Sequence, residues 1–136
     1  MALGDLIGHE EGQIVVQRVL PGDHGLPPTV ESSFKATGTL LGVAINDIGT
    51  YVGRMRADGT LDGDGQGILM SPTGDSVTWQ GRGVGSFGPD GSIRWVGSLT
   101  YVSASPAFAG LRGIVGLFEW TTTQDGGASG DIRAWQ

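Results

Sequence analysis

Cysteine is absent from the 136 residues, which excludes disulfides, thiolate catalysis and cysteine-ligated metals and is compatible with any redox compartment. Charge is sparse: charged residues make up 16% of the chain, its 8 basic residues are scattered from Arg18 to Arg133, and the net charge is -6. With no basic cluster there is no electrostatic footprint for a phosphate backbone, so nucleic acid is not an expected partner. No apolar run reaches the roughly eighteen residues of a membrane helix, so no membrane partner is expected. Met1 to Asp5 shows no basic stretch leading into an apolar one, so no secretory signal is expected and a cytoplasmic location is the default. Histidine is scarce too. His9 and His24 both fall in stretches read as irregular, without a carboxylate pair at metal-ligand spacing, so they read as surface residues and no metal or other cofactor is expected.

What the chain has in excess is glycine, 26 residues of it. The length suits one domain with one core, taken here as residues 1–136. Turn chemistry recurs at hairpin spacing: Ala57-Asp58-Gly59, Ser71-Pro72-Thr73-Gly74, Gly88-Pro89-Asp90-Gly91 and Gln124-Asp125-Gly126-Gly127. The runs between these clusters predict strands at Gln13 to Leu20, Val30 to Leu41, Asn46 to Arg56, Thr60 to Met70, Ser76 to Phe87, Ser92 to Ser103, Gly113 to Thr123 and Asp131 to Trp135. Residues 1–11 and the breaker-rich connection 21–29 read as irregular, and the latter is placed to cover one barrel end. Ser105-Pro106 opens a short helical turn near 105–112, a plug or lid. The expected fold is all-β, a single antiparallel barrel of about eight strands.

Glycines at 63, 65 and 67, then at 81, 83 and 85, alternate, so each set shares one face of its strand. Val77, Trp79 and Phe87 share that face, as do Ile93, Trp95, Gly97, Leu99 and Tyr101 in the next strand, while Asp62, Asp64, Gln66, Thr78, Gln80 and Arg82 lie opposite. The aromatic and glycine face should point inward, with Trp79, Trp95 and Tyr101 in the space the glycines leave. Outward positions Ile68, Met70, Val84, Val96 and Val102 are apolar. Apolar residues also occupy both faces of the run from Gly113 to Trp120, so a homo-oligomer, dimer or trimer, is expected.

Several motifs fail on mechanism. Gly83-Val84-Gly85-Ser86-Phe87-Gly88 matches a dinucleotide fingerprint, yet Pro89-Asp90-Gly91 follows where a helix must start. Asp58 to Asp64 resembles the start of a calcium loop, but Leu69 stands where the bidentate glutamate belongs. Ser98, Ser103 and Ser105 sit in no nucleophile elbow. Glu119, within Leu117-Phe118-Glu119-Trp120, is a candidate catalytic acid, set against an exterior glutamate by its alternation with the two rings. Tyr51, Arg54 and Arg56 read either as groups at a cavity mouth or as a rim of charge.

Trp95-Val96-Gly97-Ser98-Leu99-Thr100-Tyr101, Leu111-Arg112-Gly113, Val115-Gly116-Leu117-Phe118-Glu119-Trp120 and Ala134-Trp135, with the Gly-x-Gly strand upstream, resemble bacterial proteins of the allene oxide cyclase barrel-like superfamily. The resemblance covers roughly residues 45 to 136 and implies an eight-stranded barrel, dimeric or trimeric, with an apolar cavity open at one end. Enzymes of that superfamily close an oxylipin ring or perform cycloadditions. Allene oxide cyclases carry a glutamate and an asparagine on the first strand, where this chain offers Ile14-Val15-Val16-Gln17-Arg18, so no catalytic residue carries over.

Two functions follow. One is a cofactor-independent isomerase or cyclase that shapes a small lipophilic substrate among Trp79, Trp95, Tyr101, Phe118 and Trp120, with Gln17, Tyr51, Arg54 or Arg56 at the mouth. Its catalysis would be conformational, as suits an interior poor in titratable groups. The other is a non-catalytic barrel, a ligand carrier or a module whose rings fill its interior.

Overall fold

The computed structural model describes residues 4–136. Eight strands close on themselves in sequence order, every neighbour antiparallel: β1 Leu6–Leu20, β2 Thr29–Leu40, β3 Val43–Met55, β4 Leu61–Met70, β5 Ser76–Phe87, β6 Ile93–Val102, β7 Val115–Thr122 and β8 Gly127–Trp135. β8 pairs back onto β1, so no sheet edge is left open. Among the described residues no helix is long and apolar enough to cross a membrane.

The four expected hairpin tips all form. Each turns on a glycine in the left-handed region, Gly59, Gly74, Gly91 and Gly126. At three tips an aspartate, Asp58, Asp90 or Asp125, accepts the backbone N–H two residues on. The β2–β3 connection is tighter than the sequence suggested: two residues, Leu41 and Gly42, both at positive φ, make a primed turn without the usual Asn or Asp.

One correction is large. Residues 6–11, expected to be irregular, belong to β1 and pair with β2 and β8 from Leu6 or Gly8 onward. His9 therefore lies on a strand, its ring hydrogen-bonded to Asp131 at 2.6 Å on the outer surface. Met1–Leu3 lie outside the described residues. A break in β1–β2 register between Ile14 and Val16 leaves Val15 unpaired and resets the alternation, so Gln17, opposite Ser32, turns toward the barrel lumen.

One end of the barrel is closed. The 3-10 turn Pro106–Leu111 inserts Phe108 and Leu111 against Leu40, Ile45, Leu69 and Val77, all buried. Ser105 and Ser103 tie its leading edge to the backbone of Ser76. At the other end the connection 21–28 is largely exposed, and Pro28 lines the opening.

Candidate functional site

The inward face is built as the alternation requires. Trp79 lies over Gly49 and Gly67, and Trp95 over Gly63, where an added methyl would stand 2.5 Å from the indole. These glycines are absent side chains that make room for rings. Phe34, Tyr51, Trp79, Trp95 and Trp120 form a chain of ring contacts with centroids 4.9 to 6.2 Å apart. Phe87, expected inside, is instead 53% exposed at the end of β5, where it lines the mouth.

Two spaces result. An inner chamber of about 90 Å³ is lined by the rings named above with Leu69, Leu99, Tyr101, Phe118 and Ile132, and by two carboxyls, Glu10 and Asp47. A wider mouth cleft of about 680 Å³ is lined by Ile14, Val16, Gln17, Val19, Val30, Ser32, Met55, Leu61, Phe87 and Ile93. Tyr51 and Trp95 border both, so this edge-to-face pair is the partition between them.

The carboxyls overturn the expectation of an interior poor in titratable groups. Glu10 projects inward from β1 and Asp47 from β3, only 6% and 4% exposed. The intervening strand presents Ala36 and Gly38 to the lumen at this level, small enough for the two side chains to meet across it. Trp79 Nε1 donates to Asp47 Oδ1 at 2.9 Å, reaching over Gly67 of β4. Burial, then the charge of Asp47, then their mutual hydrogen bond push the Glu10 pKa up to about 9. Burial also raises Asp47, opposed by hydrogen bonds from Glu10 and Trp79. Burial and the nearby Asp47 thus favour a protonated Glu10, while the hydrogen bond from the Trp79 indole favours the ionised form of Asp47.

Around this pair the chamber offers donors. Tyr101, its ring packed on Gly116, is pushed well above the usual phenol range by burial and by the nearby charges of Glu10 and Asp47, so its hydroxyl keeps its proton. That hydroxyl and Trp95 Nε1 are buried without a hydrogen-bond partner. Trp120 Nε1 stands near the Tyr51 hydroxyl without completing a hydrogen bond. Toward the mouth, Gln17 Nε2 donates to Ser32 Oγ at 3.0 Å, and Ser32 lies beside the Tyr51 hydroxyl.

Of the residues singled out in the sequence, Tyr51, Trp79, Trp95, Tyr101, Phe118 and Trp120 converge on the inner chamber and Gln17 on its mouth. Glu119 does not: it faces solvent, bonded to Arg94 Nε at 3.1 Å. Arg54 and Arg56 also point outward, Arg54 to Asp64 and Arg56 to the Thr60 hydroxyl in the β3–β4 turn. Sequence reasoning missed Glu10 and Asp47. Their signal was the same alternation: Glu10 shares parity with Gly8 and Gly12, and Asp47 with Ile45, Gly49 and Tyr51.

No family model and no curated protein sequence matches the chain. Solved structures do match its shape. A protein of unknown function from Clostridium acetobutylicum superposes with a TM-score of 0.81 at 8% identity, over 96% of this chain and 95% of its own. A β-barrel-like protein from Acinetobacter baumannii gives 0.79 at 9%, over 96% and 94%. A conserved protein of unknown function from Rhodopseudomonas palustris gives 0.77 at 9%, over 96% of both chains. At such identities the likeness shows the fold alone: this chain shares its barrel with bacterial proteins.

Proposed function

We propose that the barrel binds a small lipophilic molecule in its inner chamber and acts on it as a cofactor-independent isomerase or cyclase, the rings fixing the substrate's shape and the Glu10–Asp47 pair moving a proton. The observation that carries this reading is the pair itself. Two carboxyls buried in an aromatic chamber cost folding free energy that apolar residues of the same volume do not. Acids perturbed by burial and by each other inside a cavity are characteristic of functional sites. Asp47, held by Trp79, takes a proton from the substrate and Glu10 returns one, so the pair ends the cycle with the single proton it began with. Shape fixation adds to this by holding a flexible chain near its reactive geometry.

The test is a titration with Nile red, a neutral apolar dye, followed by dye emission and tryptophan quenching. Saturable binding is expected, weakened at least about tenfold in Trp95→Ala, with the fold of the variant confirmed by circular dichroism. The small inner volume favours a second reading, a non-catalytic barrel filled by its own rings. Absence of dye binding, with central-strand amides strongly protected from exchange, would establish that one instead.

Self-association belongs to the same proposal. Ile48 opposes Ile68, which opposes Thr78 and then Val102, so an exposed apolar stripe crosses β3 to β6 with Met70 beside it. Light scattering should give two or three times the 14.0 kDa chain mass, and Ile68→Lys should return the monomer. A monomeric mass for the native protein at micromolar concentration excludes this assembly.

A further inference from the structure

We infer that the ligand of this barrel is an elongated amphiphile that enters head first, its head an uncharged carbonyl or ether oxygen that accepts from the Tyr101 hydroxyl and its apolar tail lying in the mouth cleft. The inference rests on the ligand-binding reading above and names the class of molecule bound.

Size comes first. A cavity of about 150 Å³ holds a benzene ring, so an inner chamber of about 90 Å³ admits only the end of a molecule. The adjoining cleft of about 680 Å³, walled by Ile14, Val16, Val19, Val30 and Phe87, is where the remainder lies. The two spaces meet at Tyr51 and Trp95, so a chain that passes this pair of rings occupies both.

The chemistry of the head follows from what is unpaired. The Tyr101 hydroxyl and Trp95 Nε1 are buried with no acceptor, and Trp120 Nε1 stops short of one. A buried donor left unpaired is destabilising, and an indole N–H can only donate. The chamber is therefore complementary to an acceptor. A carboxylate head would bring a second negative charge beside the one the Glu10–Asp47 pair carries, in a low-dielectric space. An ammonium head would suit the pair and the rings but leave the donors unpaired and facing a positive charge. A neutral oxygen acceptor satisfies the Tyr101 hydroxyl without adding charge.

The experiment is displacement of Nile red by probes of similar length: 2-octanone, octanoate, octylammonium and pentylbenzene, with the carbonyl carbon of 2-octanone labelled with ¹³C. Expected results are that 2-octanone displaces the dye at lower concentration than either ion and that its carbonyl resonance moves downfield on binding. Tyr101→Phe should weaken 2-octanone about fivefold, the loss of one hydrogen bond, while leaving pentylbenzene unchanged. The hydroxyl it removes has no partner, so the variant should fold at least as stably as the native chain. Dye binding with octanoate or octylammonium displacing best, or with Tyr101→Phe weakening 2-octanone and pentylbenzene alike, overturns this inference and leaves ligand binding standing. Failure of the native protein to bind the dye overturns both.

Discussion

The midpoint of thermal unfolding will fall as pH rises from 4.5 to about 9, and Glu10→Gln will remove most of that slope. Glu10 is raised in the folded barrel from 4.5 to about 9, by burial first and by Asp47 second. Between those values the folded chain holds a proton that the unfolded chain has released. Stability from this group is therefore complete below 4.5, declines through the window as the folded chain alone keeps the proton, and levels off above about 9. Asp47, also raised by burial, works in the same direction. His9, raised chiefly by its hydrogen bond to Asp131, does so as well, but its exposure keeps the effect small. Glutamine preserves the shape of the protonated acid and donates an N–H to Asp47 without titrating, so the variant should melt above the native protein at pH 8 and above. Calorimetry across this pH series is the measurement. A native midpoint that is flat or rising through the window means that the two carboxyls do not share a proton.

Gly38→Ala should be the most damaging methyl in the barrel. Gly38 faces the lumen of β2, opposite Glu10 on one side and Ile45 on the other. A Cβ there would fall inside the van der Waals shell of the His9 carbonyl oxygen and against the Glu10 Cα. Both are backbone atoms, so no rotamer relieves the clash and β1 must move away from β2. The expected cost is roughly 3 kcal/mol or more, with loss of tryptophan near-ultraviolet dichroism as the packed interior loosens. Gly42→Ala is the control. Gly42 has a φ of 76° but nothing within 4 Å, so the methyl meets only backbone strain of about 1 kcal/mol. Equal midpoints for the two variants would show that β1 and β2 do not approach as closely as this.

Much of the architecture was legible along the chain because its causes are local. Asp-Gly and Pro-x-Gly tips choose their own dihedrals within three or four residues, and the Gly-x-Gly runs identify an inward face by parity alone. Trp79, Trp95 and Tyr101 could be placed inside from those two rules, and the outward parity of Glu119 was visible in Phe118 and Trp120. Leu41-Gly42 escaped because a primed turn with leucine at positive φ lacks the usual residues, and is sustained by the strands it joins.

The sequence by itself determined the all-β class, the turns, the parity of the central strands and the aromatic character of the interior. Tertiary structure alone brought the two carboxyls into the site. Glu10 read as part of an irregular segment until β8 closed on β1, and a strand bonded on both sides is what makes residues 6–11 regular. The bulge at Val15 reversed the parity that would have turned Gln17 outward. Glu10 and Asp47 meet only because Ala36 and Gly38 of the strand between them are small, and Trp79 reaches Asp47 from β5. No local pattern encodes that meeting: a carboxyl's pKa depends on the water removed and the charges brought near, and both are set by residues that only closure of the barrel brings together.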